Sequence, residues 1–190
     1  MKHLVLVTAT VLVLCARALA QPAPPPASPG APPEAVTTTT ARPGLDNAIS
    51  VFGVFGYLYA STGVGVSGRY QKTIVPRGLL HLANVHEDLG IEGGVDYYHY
   101  GFTGYTLDEF AALVGVVWNF WFDGGKLALY PKLESGFGFG SVSGVSGAGA
   151  LGYGGFHMLA EAGIAYKVSA LTLRGEIGSG ALRVGAGLVF

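Results

Sequence analysis

The chain has 190 residues, 50% of them hydrophobic and only 12% charged, with 31 Gly, 10 Pro and a mean hydropathy of +0.45. So high an apolar content excludes a disordered chain, and so few Glu and Lys exclude a coiled coil. A formal charge of −1 without any basic run speaks against a nucleic-acid partner, and after the N-terminus no run of about 20 apolar residues offers a membrane helix.

Residues 1–20 begin with Lys2, continue through an apolar stretch from Leu4 to Leu14 and close on Ala18-Leu19-Ala20. This is the build of a secretory signal peptide, with cleavage expected after Ala20. A retained membrane anchor is the alternative. An acylated lipoprotein signal is disfavoured, because Leu14 stands where a small residue should precede Cys15. Cleavage removes Lys2, Arg17 and the single Cys, leaving a chain of net charge −3 with no thiol.

Residues 21–45 hold eight of the ten prolines and the run Thr37 to Thr40. With almost nothing to bury, this segment reads as a disordered or polyproline-like linker. A partner-binding role for it is conceivable, but a solvated leader is the simpler reading.

From residue 46 onward apolar residues recur at every second position, in eight segments at about 49–59, 63–75, 87–100, 109–122, 126–139, 155–168, 171–178 and 181–190. In the fifth, Leu127, Leu129, Pro131, Leu133, Phe137 and Phe139 oppose Lys126, Ala128, Tyr130, Lys132 and Glu134. Short turns test the parity, because a slip of one residue exchanges the two faces of a strand. A two-residue turn at Gly124-Gly125 sets Phe122 against Leu127, Phe120 against Leu129, Trp118 against Pro131 and Val116 against Leu133. Ser179-Gly180 sets Glu176 across from Arg183, and Ser169-Ala170 sets Lys167 across from Thr172. All three turns agree on one parity.

That parity gathers Arg69, Lys132, Lys167, Arg174 and Arg183 with Glu92, Asp96, Glu134, Glu161 and Glu176 on one face. The other face is aliphatic and aromatic. Tyr57, Tyr59, Phe110, Phe137, Phe139 and Phe156 fall near one set of strand ends, and Trp118, Phe120, Phe122, Tyr166 and Phe190 near the other. Two aromatic girdles with aliphatic residues between them match strands crossing a bilayer. A sheet in lipid cannot keep free edges, so it closes. The expected fold is all-β, an eight-stranded antiparallel up-and-down transmembrane β-barrel. A soluble secreted sandwich with its charges turned to water remains the alternative that composition permits.

The segments PKLESGFGFG and AEAGIAYKV, with the closing strand ALRVGAGLVF, resemble the small outer-membrane barrels of Gram-negative bacteria, the group of the outer-membrane protein A transmembrane domain and the opacity-type proteins. The resemblance covers residues 46–190. It implies outer-membrane lipid as surroundings, and a terminal strand, with Leu188 and Phe190, similar to the signal read by the outer-membrane assembly machinery. The first segment departs from the pattern, since Phe52, Val54 and Leu58 take the inward parity. The stretch Pro76 to His86 is long for a periplasmic turn and admits a short helix or an extra strand.

An eight-stranded barrel has room for side chains but for no permanent channel, so ten inward charges must pair. The expected role is structural or surface-interacting, with a salt-bridge-plugged lumen that is at most a minor gated pore, and with no cofactor. A lipid A-modifying or lipid-binding barrel enzyme is the alternative, as similar barrels deacylate lipid A with a His and a Ser two residues on. No His here has that neighbour, and His157 with Glu161 is the best remaining pair. His81 and His86 with Glu87 and Asp88 fit no defined metal site. The Gly- and Ser-rich stretch 140–155 lacks the Lys and helix of a phosphate loop and reads as the longest exterior loop, a place for an extracellular ligand.

Overall fold

The computed structural model describes residues 47–58, 61–80, 85–144 and 151–190. The expected signal peptide (1–20) and linker (21–45) lie outside the described residues, as do Tyr59 and His81. Eight strands follow one another: β1 (Asn47–Leu58), β2 (Ser61–Val75), β3 (His86–Phe102), β4 (Tyr105–Phe122), β5 (Leu127–Ser143), β6 (Leu151–Val168), β7 (Leu171–Gly178) and β8 (Ala181–Val189). Each pairs antiparallel with the next, and β1 pairs with β8, closing the barrel. A soluble two-sheet sandwich is thereby excluded. We call the end that carries Asn47 and Phe190 the inner end and the opposite one the outer end.

The turns produce the register that the alternation requires. Gly124 and Gly125 both take positive φ (62° and 86°), as a two-residue hairpin turn demands, and the Lys126 amide donates to the Asp123 carbonyl at 3.3 Å. Phe122 then faces Leu127, Phe120 faces Leu129 and Val116 faces Leu133. The expected facing of Trp118 and Pro131 is absent from the ladder, which is interrupted where the proline has no amide to donate. At the outer end Glu176 faces Arg183, and at the inner end Lys167 faces Thr172.

Two expectations are corrected. Most of 140–155 is strand: Gly140 faces Tyr153 and Val142 faces Leu151, so the β5–β6 connection is only 144–150. Gly and Ser hid strands there because their small side chains leave no hydrophobic alternation to read. Among the described residues of 76–86 there is also no helix and no extra strand before His86; 76–80 form turns. They fold back on the wall, where the Leu80 amide and the Trp118 indole N–H donate to the two carboxylate oxygens of Glu87 at 2.5 and 2.7 Å.

Outward positions are apolar and exposed, among them Val95, Val114, Phe137 and Phe156. Inward positions are packed. Phe52, Val54, Tyr98, Tyr100, Leu107 and Ala181 form an apolar cluster in the outer part of the lumen, and Ala48, Val117, Trp121, Ala128, Tyr130 and Ala165 form another in the inner part. Inward glycines let strands approach closely: a Cβ on Gly136 would run into the carbonyl of Ala112 on β4. Gly136→Val is therefore expected to lower barrel stability by about 1–3 kcal/mol through overpacking, measured as a lower urea midpoint for unfolding.

Candidate functional site

Between the two apolar clusters lies a belt of charge. Of the ten residues expected there, nine meet inside the barrel: Arg69, Glu92, Asp96, Lys132, Glu134, Glu161, Arg174, Glu176 and Arg183, all buried. Lys167 has the same parity, but it stands half-buried one residue before the inner end of β6, below the belt.

The nine form one connected lattice of four cations and five carboxylates. Arg69 Nη1 meets Asp96 Oδ1 at 2.6 Å, and its Nε meets Glu134 at 3.2 Å. Arg183 donates to the other Asp96 oxygen at 2.7 Å and also pairs with Glu161. Lys132 Nζ lies at 2.7 to 3.5 Å from four carboxylates, those of Glu176, Glu161, Glu92 and Glu134. Arg174 donates to Glu92 at 2.7 Å and to Glu176 at 2.9 Å, with its guanidinium within about 5 Å of the Phe52 and Tyr130 rings.

Neighbouring tyrosines add hydrogen bonds to the lattice. The Tyr98 hydroxyl donates to Asp96 at 3.0 Å and accepts from Arg183 at 2.8 Å, while the Tyr130 hydroxyl donates to Glu176 at 2.9 Å. Glu176 faces Arg183 in register, as the turn predicts, yet the recorded ion pairs run elsewhere: Arg183 to Glu161 and Asp96, Glu176 to Lys132 and Arg174. Inside so narrow a barrel, long side chains reach across the lumen as easily as to the next strand.

The pairing expected for His157 is also different. Glu161 is taken by Lys132 and Arg183, and His157 Nε2 lies 3.3 Å from Glu109 on β4, reaching across Gly138 of β5. The Tyr153 hydroxyl donates to the same carboxylate at 3.2 Å. This outer group of Glu109, His157 and Tyr153 was missed from sequence, although Glu109 carries the inward parity of β4. A second missed group sits on the outside near the same end, where His99 Nδ1 and the Tyr97 hydroxyl lie 2.8 and 2.7 Å from Asp108 Oδ1. Leu188 and Phe190 of the closing segment face outward and are exposed.

The distribution of charge along the barrel is asymmetric. Outside the belt, the described cations Lys72, Arg77, Lys126 and Lys167 all lie at or near the inner end. Among the described residues the outer part has no Lys or Arg beyond the belt, and it carries Asp108 and Glu109.

The chain matches no protein-family model and no curated protein. It is similar in fold to Neisserial surface protein A, at 12% identity and a TM-score of 0.53, over 76% of this chain and 96% of that one. It is also similar to the attachment invasion locus protein Ail of Yersinia pestis in complex with the heparin analogue sucrose octasulfate, at 18% identity and a TM-score of 0.50, with the same coverage. The fold is that of the small eight-stranded outer-membrane barrels.

Proposed function

We propose that this chain is an integral outer-membrane barrel, exported by a cleaved signal peptide, that serves a non-enzymatic structural or surface-interaction role with its lumen closed. The observation that carries this reading is the inversion of polarity: nine charged residues are buried inside while the outer wall is apolar. A protein in water turns its charges outward, and one in lipid hides them. The outward Leu188 and Phe190 suit the assembly signal that such barrels present in their last strand. After detergent extraction the protein is expected in the outer-membrane fraction, running faster on a gel when unboiled than when boiled. Recovery of the mature protein from the soluble periplasm would sink the assignment.

The lumen reads as a plug of three layers, two apolar and one ionic. Water entering from outside meets Tyr98, Tyr100 and Phe52 before it reaches the belt, and Trp121 and Tyr130 beyond it. In planar bilayers the wild-type protein is expected to be nearly silent, and Arg183→Ala to raise the frequency of small openings by freeing Asp96 and Glu161. Unchanged recordings would count against any gated pore.

A surface role directs attention to the outer rim, but the ligand of the Yersinia protein does not transfer. Sucrose octasulfate is a polyanion, and the described outer part of this barrel offers carboxylates and no exposed Lys or Arg. An uncharged or basic partner suits it better.

A further inference from the structure

The outer rim is not level. The row of facing residues Ala160, Leu133, Val116, Ile91, Lys72 and Asn47 crosses six strands and descends from the middle of β6 to the first residue of β1. Strands β1 to β6 all continue well above this row, reaching Leu58, Ser61, Phe102, Tyr105, Ser143 and Leu151. The hairpin of β7 and β8 stops beside it, with Gly178 facing Glu161 and Ala181 facing Gly56. At about 3.3 Å per residue and a tilt near 40°, the rim climbs around the barrel and then drops by about 20 Å between β6 and β7.

Among the described residues the drop leaves an open strand edge. Below it, the Ser179 amide donates to the Ala160 carbonyl at 3.1 Å, and the Ala160 amide donates to Ser179 Oγ at 3.1 Å, which caps the ladder. Even-numbered residues of β6 therefore turn their N–H and C=O toward the β7 side. Above Ala160 these are Met158, Phe156, Gly154 and Gly152, and no backbone partner for them lies among the described residues. Natural sheets protect such edges with charge, proline or a covering element, yet Gly152 to Leu159 contains no Pro, Lys, Arg, Asp or Glu.

We propose that this edge is a docking site for an extended segment of another polypeptide, which adds as a strand in the place of the missing upper half of β7. Backbone chemistry and symmetry select that occupant. A row of alternating donors and acceptors is complementary to another backbone, and a lipid tail has neither; bare, each such group in hydrocarbon would cost several kcal/mol. A second copy is excluded by symmetry: a two-fold axis along the membrane normal crosses two such tilted strands at roughly 80°, too steep for a ladder. The side chains then fix composition. Residues facing outward beside Phe156 and Met158, both strongly exposed, are apolar, and those facing inward beside His157 and Glu109 carry hydroxyl or basic groups. The edge itself exists whichever compartment it faces; the exclusion of a second copy, and a source outside the cell with the outer end turned to the exterior, rest on the outer-membrane barrel proposed above.

The test uses the full protein in detergent micelles and a fluorescein-labelled peptide of alternating Val and Thr with Lys at both ends, followed by anisotropy. Binding is expected, and N-methylation of the valines, whose amides face β6, weakens it about tenfold or more, while N-methylation of the threonines does not. Phe156→Pro removes an edge amide and weakens binding similarly; Phe156→Ala, which keeps the amide, has a smaller effect. The unboiled gel shift reports that both variants fold. Absence of binding at millimolar peptide, or binding indifferent to methylation pattern, overturns the proposal. So does slow hydrogen exchange of the Phe156 and Met158 amides in the protein alone, which would mean that the edge is already covered. Failure of fractionation to the outer membrane would sink the outer-membrane assignment and with it the exclusion of a second copy, while methylation-sensitive peptide binding would still report the open edge.

Discussion

Lys132→Met lowers the stability of the folded barrel by about 3–5 kcal/mol, the size expected when one partner of a buried ion pair is removed. Its ammonium is the meeting point of four carboxylates, those of Glu92, Glu134, Glu161 and Glu176, all of which remain buried when it is gone. Arg69, Arg174 and Arg183 still reach some of them, but five carboxylates then face three cations, all buried from bulk solvent. Adding Glu176→Gln to Lys132→Met removes one unmatched charge and is expected to restore part of the loss, so the two changes combine non-additively. Urea unfolding in lipid vesicles, read by tryptophan fluorescence, measures both. Additive losses would show that the belt is a set of separate pairs.

Val114→Arg is the matching experiment on the outer wall. Val114 is exposed about midway along β4, between Trp118 and Phe120 toward the inner end and Phe110 toward the outer end. In a bilayer an arginine at mid-depth on the lipid face costs about 2–4 kcal/mol. In detergent micelles, which deform around a charge, the cost is expected to be smaller. Equal and negligible effects in both media would place this face in water. A large loss confined to the bilayer follows only if the wall faces lipid.

The faces of the strands were legible because alternation and turns constrain one another. Gly124-Gly125, Ser179-Gly180 and Ser169-Ala170 each fix a register, and three agreeing registers leave one polar side. Extended by alternation to β2 and β3, that parity finds nine of the ten lumen charges. Their partners do not follow from it, because facing in register decides which Cα atoms are neighbours, while the ends of Arg and Lys side chains cross the lumen. Arg183 thus passes over Glu176 to reach Asp96, a residue of β3. His157 likewise reaches Glu109 only because Gly138 between them has no side chain.

The outer rim was illegible for a different reason. Gly and Ser between 140 and 155 imitate a loop, so the last residues of β5 and the first of β6 could not be told from a connection. Without them β6 starts only at about 155, and the step above Gly178, which faces Glu161, looks shorter than it is. The apolar layers were half visible: Phe52 and Val54 broke the expected polarity of β1, and the structure shows them packed with Tyr98 and Tyr100 across the lumen.

The apolar wall of this barrel is expected to face lipid and its charges the lumen. Nitroxide labels placed singly at Val95, Val114 and Val184 of the protein reconstituted in lipid vesicles, with Leu113 and Val117 as inward controls, test it directly. The three outward labels are expected to collide readily with oxygen dissolved in the bilayer and hardly at all with a water-soluble nickel chelate, while the two inward labels are shielded from both. Free access of the chelate to Val95, Val114 and Val184 would contradict a lipid-facing wall.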